Sequence, residues 1–330
     1  MKVLVTGATG AIGPRVVHAL HHAGYRIRTF SVDAPAASIF PQSVEILIGD
    51  VTDHVATQSA MQGVDAVIHM AALLHIVNPP PEMLEKFERI NIGGTATVVA
   101  AALGAGVKRV VLFSTIAVYG QASGQVLNEQ SQTHPDTLYA QTKLDAEKIV
   151  LSARDANGHP LGTVLRLGAV YGSRIKGNYE RLIHALARNR FISVGNGRNR
   201  RTLVYDKDVG RAAALAISHP AAAGQVFNVT DGSIHTLNEI IESICAALGR
   251  KPPRISLPVG TVRLAAGILE DAGRMIGFKS PVGRATIDKY TEDITVDSQL
   301  IQRELGFRPQ FDLKSGWHET IQEMRKTGQL

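Results

Sequence analysis

The segment Lys2-Val-Leu-Val-Thr-Gly-Ala-Thr-Gly-Ala-Ile-Gly13 sets the fold. Lys2 to Thr6 is a short, β-branched apolar run, long enough for one buried strand. Gly7, Gly10 and Gly13 then recur at intervals of three, and Val16, Val17 and Leu20 follow at helical spacing. Pro14 falls where a first helical turn tolerates a missing N–H, and Gly24 is placed to end the helix. Strand, glycine turn and helix together make a dinucleotide-binding start. Glycines let the backbone approach a pyrophosphate, and the helix N-terminus offers free N–H groups at the positive end of its dipole. On this reading Gly7, Thr9, Gly10, Ala11 and Ile12 line the cofactor. A plain tight turn would carry the same glycines, so the rest of the chain has to decide.

It does so by alternation. Arg26–Val32, Val44–Ile48, Ala66–Met70, Arg109–Ser114 and Leu161–Leu167 read as strands, with helices over Glu82–Ala105 and Leu138–Ala153. That order predicts an α/β, Rossmann-type, doubly wound parallel sheet with helices on both faces. After Tyr171 the pattern changes. A helix is expected over Tyr179–Asn189, a strand over Phe191–Val194, a basic loop over Gly195–Arg201, and helices over Asp206–Ser218 and Leu237–Leu248. A Pro-rich stretch, Lys251–Pro258, and a long weakly apolar helix come next. Residues 1–172 are therefore expected to form a cofactor-binding domain, with return segments near 202–229. Residues 173–330 are expected to form mainly a smaller α/β substrate lobe.

Composition narrows the class. A chain of 330 residues with 45% hydrophobic and 19% charged residues suits a globular enzyme. The most apolar late segment, Leu257–Leu269, is interrupted by Arg263, so no membrane span is expected. No charged leader precedes an apolar core at the N-terminus, and Cys245 is the one cysteine, so a cytoplasmic protein without an internal disulfide is expected. Cys245 lies among Ile240, Ile241, Ile244 and Leu248 at helical spacing and reads as core. The twelve histidines are scattered without metal-ligand spacing, and no metal is expected. The net charge of +6 favours an anionic substrate. Arg198, Arg200 and Arg201 lack interleaved aromatics, so nucleic acid is not expected as a partner.

The residues that could carry chemistry fall at strand ends. A carboxylate about twenty residues past the glycines selects NAD through the ribose 2′-hydroxyl. Asp33 has that spacing, while Ser31 competes for the strand-end position. Asp50 and Val51, after the third strand, could hold the adenine, or Asp50 could simply cap a turn. Tyr139 and Lys143 lie four apart on an expected helix and so share a face. An ammonium beside a phenol favours the phenolate, which makes Tyr139 a candidate acid/base for interconverting an alcohol and a ketone. Thr115, a hydroxyl at the end of an apolar strand, could bond the same substrate oxygen.

These motifs, in this order, resemble the extended short-chain dehydrogenase/reductases, which include NAD-dependent nucleotide-sugar epimerases and dehydratases. Thr6–Gly13 is similar to their TGxxGxxG pattern, and Gly49-Asp50-Val51 to their adenine-site motif. Val67-Ile-His-Met-Ala-Ala72 resembles the segment packed along the cofactor, which implies roles for Met70, Ala71 and Ala72. Asn91 matches an asparagine of the family's helix core. Phe113-Ser-Thr-Ile-Ala-Val-Tyr-Gly120 implies Thr115 as the catalytic hydroxyl, and Leu138-Tyr-Ala-Gln-Thr-Lys143 matches the Tyr-x-x-x-Lys helix. The resemblance runs on through Leu165–Gly172 and Arg201–Asp208.

Two departures matter. Where the family's 4,6-dehydratases carry an Asp-Glu pair after the catalytic threonine, this chain has Ile116 and Ala117, which disfavours dehydration. Ser31 stands where many NAD-using relatives carry Asp, so the cofactor is read as NAD with NADP left open. The resemblance also implies that Asn178 and Arg201 hold a nucleotide diphosphate; Arg198 and Arg200 are weaker candidates, and Arg174 and Lys176 weaker still. His69 and His75 read as packed or loop residues. The expected activity is that of a UDP-glucose 4-epimerase-like enzyme acting on a UDP-hexose. The alternative is a 4-keto-sugar reductase or a hydroxysteroid- or flavonol-type dehydrogenase using the same Thr115, Tyr139 and Lys143. A homodimer is implied by the resemblance alone.

Overall fold

A computed structural model describes residues 1–74, 83–121, 124–275 and 283–330. The expected helix start at Glu82, and His75, lie outside the described residues. Seven parallel strands form one sheet: β1 Lys2–Thr6, β2 Arg26–Ser31, β3 Glu45–Ile48, β4 Ala66–His69, β5 Arg109–Thr115, β6 Gly162–Leu167 and, after four short strands, β11 Val226–Val229. Their order across the sheet is β11-β6-β5-β4-β1-β2-β3. The chain leaves β1 towards β2 and resumes on the other side at β4, so the topological switch lies between β1 and β4, where such sheets open a ligand crevice.

Both faces are covered, as the near-continuous burial of the central strands requires. On one face lie α1, Gly13–His22, and α7, Asp206–Ser218, packed with Val3, Val5, Ile68 and Val111. On the other lie α2, His54–Met61, α4, Gly94–Gly104, and α5, Leu138–Ser152, packed with Leu4, Val67, Val110 and Leu112. Within α1 the expected apolar positions Val16, Val17 and Leu20 are buried. The expected single helix before β5 is composite. A short α3, Met83–Phe87, leads into a π-helical turn, Glu88–Gly93, and only then into α4. Such one-turn insertions re-aim a single side chain and concentrate at functional sites.

The second half builds a separate core on Trp317, which stacks on Tyr171 at 4.2 Å between ring centroids. Around it pack α6, Asn178–Ala187, α8, Leu237–Leu248, and α12, Leu313–Lys326, with Cys245 inside as expected. The short strands β7 Ala169–Tyr171 and β10 Leu203–Tyr205 pair with each other, as do β8 Ser193–Val194 and β13 Ser256–Leu257. β9, Arg200–Arg201, pairs antiparallel with β12, His235–Thr236. Hence Arg200 and Arg201 are extended residues, not part of a free loop, and the strand expected over Phe191–Val194 is confined to its last two residues. Helices α9 Val259–Met275 and α10 Arg284–Thr291 complete the lobe, while α11 Gln299–Leu305 packs Ile301 and Leu305 into the sheet core with α1 and α7. No described helix is long and apolar enough to cross a membrane.

Candidate active site

At the cofactor end, the turn after β1 is held from within and without. Gly7 takes φ +69° and its N–H donates to the Phe30 carbonyl at 2.9 Å. A Cβ on Gly7 would lie 2.7 Å from the Ala71 nitrogen, so the loop after β4 packs directly on the turn. Gly13 opens α1, and a Cβ there would overlap the Ala8 carbonyl. The backbone of Thr9 to Ile12 is thereby set at a helix N-terminus whose first turn holds no acidic residue to repel a pyrophosphate. This cradle fits a dinucleotide.

β2 ends at Ser31, which is buried and accepts from the Thr9 N–H at 3.4 Å. Asp33 lies two residues further on, in an exposed bend. Ser31 is thus the strand-end residue, and the carboxylate with the expected spacing belongs to the loop. Asp50 Oδ1 accepts from the Thr52 N–H at 2.9 Å, the turn-capping contact weighed against an adenine role, and Val51 is buried behind it.

Met70, Ala71 and Ala72 follow β4 as a half-buried loop, tied to β1 by Thr6 Oγ1, which accepts from the N–H groups of Met70 and Ala71, each at 3.3 Å. Thr6 Oγ1 also meets His69 Nδ1 at 2.7 Å, and His69 Nε2 lies 3.0 Å from Thr95 Oγ1. Because Thr95 donates to the Asn91 carbonyl at 2.6 Å, it accepts from His69, which is therefore the Nε2–H tautomer. Burial, with the Lys143 charge adding to it, pushes the imidazole down to about 3. His69 is a packed residue, as expected.

That depression has a sign. The unfolded chain binds a proton on this histidine below its ordinary value of 6.5, and the folded chain does not until about 3. Stability supplied by neutral His69 is complete above 6.5 and declines as pH falls through that window, by at most about 1.4 kcal/mol per pH unit. A His69→Gln variant should be less stable than the parent at pH 7 but lose less stability between pH 6 and about 4. Urea unfolding at the two pH values measures it; equal acid losses in both proteins would discount His69.

Asn91, 1% exposed, sits in the π-helical turn and joins the two halves of the site. Its Oδ1 accepts from the Leu73 N–H at 2.7 Å, and its Nδ2 donates to the Leu73 carbonyl at 3.2 Å and to Thr142 Oγ1 at 3.0 Å. The loop after β4 is thus pinned to α5, the helix that carries Tyr139 and Lys143.

β5 ends at Thr115, whose Oγ1 accepts from the Ala117 N–H at 3.2 Å as a 3-10 turn, Ile116–Tyr119, begins. Thr137 caps α5 by accepting from the Ala140 N–H at 3.2 Å, placing half-buried Tyr139 in the first turn and Lys143 one turn deeper. Because α5 packs on β5 and on the 3-10 turn, the elements that carry the hydroxyl, the phenol and the ammonium adjoin. Lys143 is 3% exposed and makes no hydrogen bond or ion pair among the described residues. Burial lowers it to about 8, with the Glu147 carboxylate acting against that shift. Burial also pushes Tyr139 up to about 12. The expectation that the phenol lies below its ordinary value is therefore not met, because loss of water disfavours the charged phenolate.

On the substrate side, Asn178 is the exposed first residue of α6, and half-buried Arg201 lies in β9. An Arg201 terminal nitrogen donates to the Lys289 and Tyr290 carbonyls, at 2.6 and 3.2 Å, at the end of α10. The Arg201 charge reaches the Tyr179 phenol next to Asn178, which brings the start of α6 near β9. Of the weaker candidates, Arg174 is half-buried with its Nε buried and without a hydrogen-bond partner among the described residues, and the others are committed elsewhere or exposed. Arg200 donates to the Gly124 carbonyl at 2.6 Å and faces Asp293 at 3.7 Å, Lys176 pairs with Glu180 at 2.6 Å, and Arg198 is exposed.

A buried polar set beneath the site escaped the sequence reading: Ser114, Glu147, Arg166, Tyr119 and Asn228. Its signal was present. Arg166 is a charge inside the apolar strand Thr163-Val-Leu-Arg-Leu167, and Glu147 repeats the four-residue step from Tyr139 to Lys143.

A parallel sheet with its switch point at a glycine turn, and a Tyr-x-x-x-Lys helix packed on the strand that ends in a hydroxyl, define the class of a dinucleotide-dependent enzyme. The chain belongs to the NAD-dependent epimerase/dehydratase family, whose sequence pattern matches residues 3–230. It is 26% identical to the UDP-glucose 4-epimerase of Vibrio cholerae over 330 residues, covering 97% of this chain and 94% of that one. It is equally 26% identical to a 3 beta-hydroxysteroid dehydrogenase/Delta 5-->4-isomerase of Mycobacterium tuberculosis, covering 97% and 89%. Among solved structures, MoeE5 in complex with UDP-glucose and NAD superposes with a TM-score of 0.77 at 26% identity, covering 99% of each chain. The family fixes an NAD-dependent enzyme; its members include epimerases, dehydratases and dehydrogenases.

Proposed function

We propose that the protein is a nucleotide-sugar 4-epimerase of the UDP-hexose class. Arg201 carries the reading. A half-buried guanidinium already oriented by two carbonyls at the end of α10 is pre-organised for a phosphate, the geometry in which arginine outperforms lysine. The relative from Vibrio cholerae and the UDP-glucose complex of MoeE5 support the same substrate class. Asn178 would add a donor from the start of α6. NAD would lie along Gly7–Ile12 with its adenosine near Ser31, Asp33, Asp50 and Val51, and its ribose on Tyr139 and Lys143. Residues 32–44 contain no lysine or arginine to receive a 2′-phosphate, which favours NAD over NADP.

NAD held by these residues would supply the reversible hydride acceptor for the sugar's C4. The protein's own part is to hold and move a proton. Tyr139 takes the proton of the 4-hydroxyl as the alcohol becomes a ketone and gives it back after the sugar has turned. Thr115 Oγ1 orients that oxygen and stabilises its developing charge, and the Lys143 ammonium favours the phenolate. Ile116 and Ala117 offer no carboxyl group for eliminating water, which sets the proposal apart from dehydration.

Product analysis over UDP-, GDP- and dTDP-hexoses with substoichiometric NAD tests this reading. The expected result is a 4-epimer with no net NADH. A second reading, net oxidation of an apolar alcohol, draws on the steroid-dehydrogenase relative and on the exposed Leu264 and Ile268 of α9. Net NADH formation on a sugar nucleotide would make the enzyme an oxidoreductase on that substrate, and silence on every sugar nucleotide with turnover of apolar alcohols would establish the second reading instead. For the phosphate contact, Arg201→Ala should raise KM by about ten- to a hundredfold with little change in kcat, corresponding to one charged hydrogen bond lost equally from ground and transition states. An unchanged KM would remove Arg201 from the substrate site.

A further inference from the structure

Lys143 is a buried cation without a described partner, and the helix places one carboxylate a single turn below it. Glu147 is 1% exposed and its charge opposes the burial shift of Lys143. Its carboxylate is clamped on every side. Arg166 Nε reaches Oε1 and Oε2, each at 3.1 Å, Arg166 Nη2 reaches Oε2 at 2.6 Å, and the Ser114 hydroxyl donates to Oε1. Arg166 in turn lies 4.8 Å over the ring of Tyr119, whose hydroxyl donates to Asn228 Oδ1 at 2.9 Å. The clamp thus spans β5, α5, β6 and β11, and two of its anchors flank Thr115 in sequence: Ser114 before it and Tyr119 after it.

We propose that Glu147, fixed by Arg166 and Ser114, is a positioning residue that keeps the Lys143 ammonium charged. An unclamped carboxylate in this place would swing to Lys143, pair with it and withdraw it from the cofactor ribose. A carboxylate with no counter-cation would also oppose formation of the Tyr139 phenolate. Bidentate Arg166 prevents both. The other titratable groups around Lys143 do not substitute for Glu147. His69 from β4 is neutral to about 3 and Tyr139 is protonated to about 12, while Arg166 is itself a cation paired with the carboxylate. The inference rests on Lys143 belonging to the site and holds for either substrate reading.

The test is made on the ligand-free full chain, so that it is independent of the sugar panel. The protein is labelled with ¹⁵N-lysine, and the Lys143 Nζ resonance, assigned with Lys143→Arg, is titrated by NMR. In the parent its midpoint is expected near 8. Glu147→Gln should lower it by about one pH unit, and Arg166→Met, which leaves the carboxylate unopposed, should raise it. Mere loosening of a buried pair would move both variants the same way. Breaking a buried ion pair can prevent folding, so Glu147→Gln/Arg166→Met, which removes both charges together, stands in for the first variant, with a fall still expected. Ser114→Ala, which spares both charges, should leave the midpoint within about 0.3 units. An unchanged or raised midpoint in Glu147→Gln or in the double variant overturns the proposal.

Discussion

Tyr139→Phe is expected to lower kcat by about a thousandfold while the dissociation constant for NAD stays within about threefold. The ring keeps its place in the first turn of α5, so packing and helix capping by Thr137 survive. What disappears is one hydroxyl, and with it the only proton carrier of the Thr115–Tyr139–Lys143 set that the reaction can use at the substrate oxygen. Thr115 and Lys143 still orient and polarise, which accounts for a residual rate. The phenol, pushed up to about 12 by burial, needs the positive charge of Lys143 to yield its proton near neutrality. Lys143→Met should therefore cost comparable turnover. Unlike Tyr139→Phe it should also weaken NAD binding, because a 3% exposed ammonium without a described partner is the group left to meet the ribose. Turnover and calorimetric NAD binding, measured on both variants, separate the roles. A Tyr139→Phe enzyme retaining a tenth of parental turnover would take the proton transfer away from Tyr139.

The fold was legible because its signals are local. A β-branched run, a glycine turn and an apolar period of 3.6 occur within twenty residues, and the alternation repeats until β6. The π-helical turn was not legible. One extra residue in a helical turn leaves the apolar period of Glu82–Ala105 almost intact, yet it decides where Asn91 points. The cofactor end was legible in its glycines and ambiguous at the ribose, since Ser31 and Asp33 differ by two residues and only strand register separates them. The charge states were misread for a different reason. Spacing on a helix shows which side chains are neighbours but says nothing of the water around them, and here burial dominates both Tyr139 and Lys143. Glu147 and Arg166 illustrate the converse. Their partnership joins a helix to a strand nineteen residues away, which no local pattern reports.

Gly7→Ala should lower NAD affinity by about a hundredfold or more and destabilise the protein by about 2–4 kcal/mol. Two costs add at this position. A residue with a Cβ at φ +69° loses about 1 kcal/mol against glycine. The new methyl would then stand 2.7 Å from the Ala71 nitrogen and 2.8 Å from its Cα, closer than a non-bonded Cβ can approach either atom. Neither side yields easily. The Ala71 N–H is bonded to Thr6 Oγ1 at 3.3 Å, and two residues on the same loop is held by Asn91, while the Gly7 N–H is bonded into β2. Whichever side moves, the turn that aims the Thr9–Ile12 backbone at the pyrophosphate moves with it. Gly24→Ala separates the two costs. Its φ of +80° imposes the same backbone penalty, but a Cβ there meets nothing within 4 Å. That variant should lose about 1 kcal/mol and bind NAD like the parent. Equal NAD affinities in the two variants would mean that the contact between the glycine turn and the loop after β4 does not shape the cofactor site.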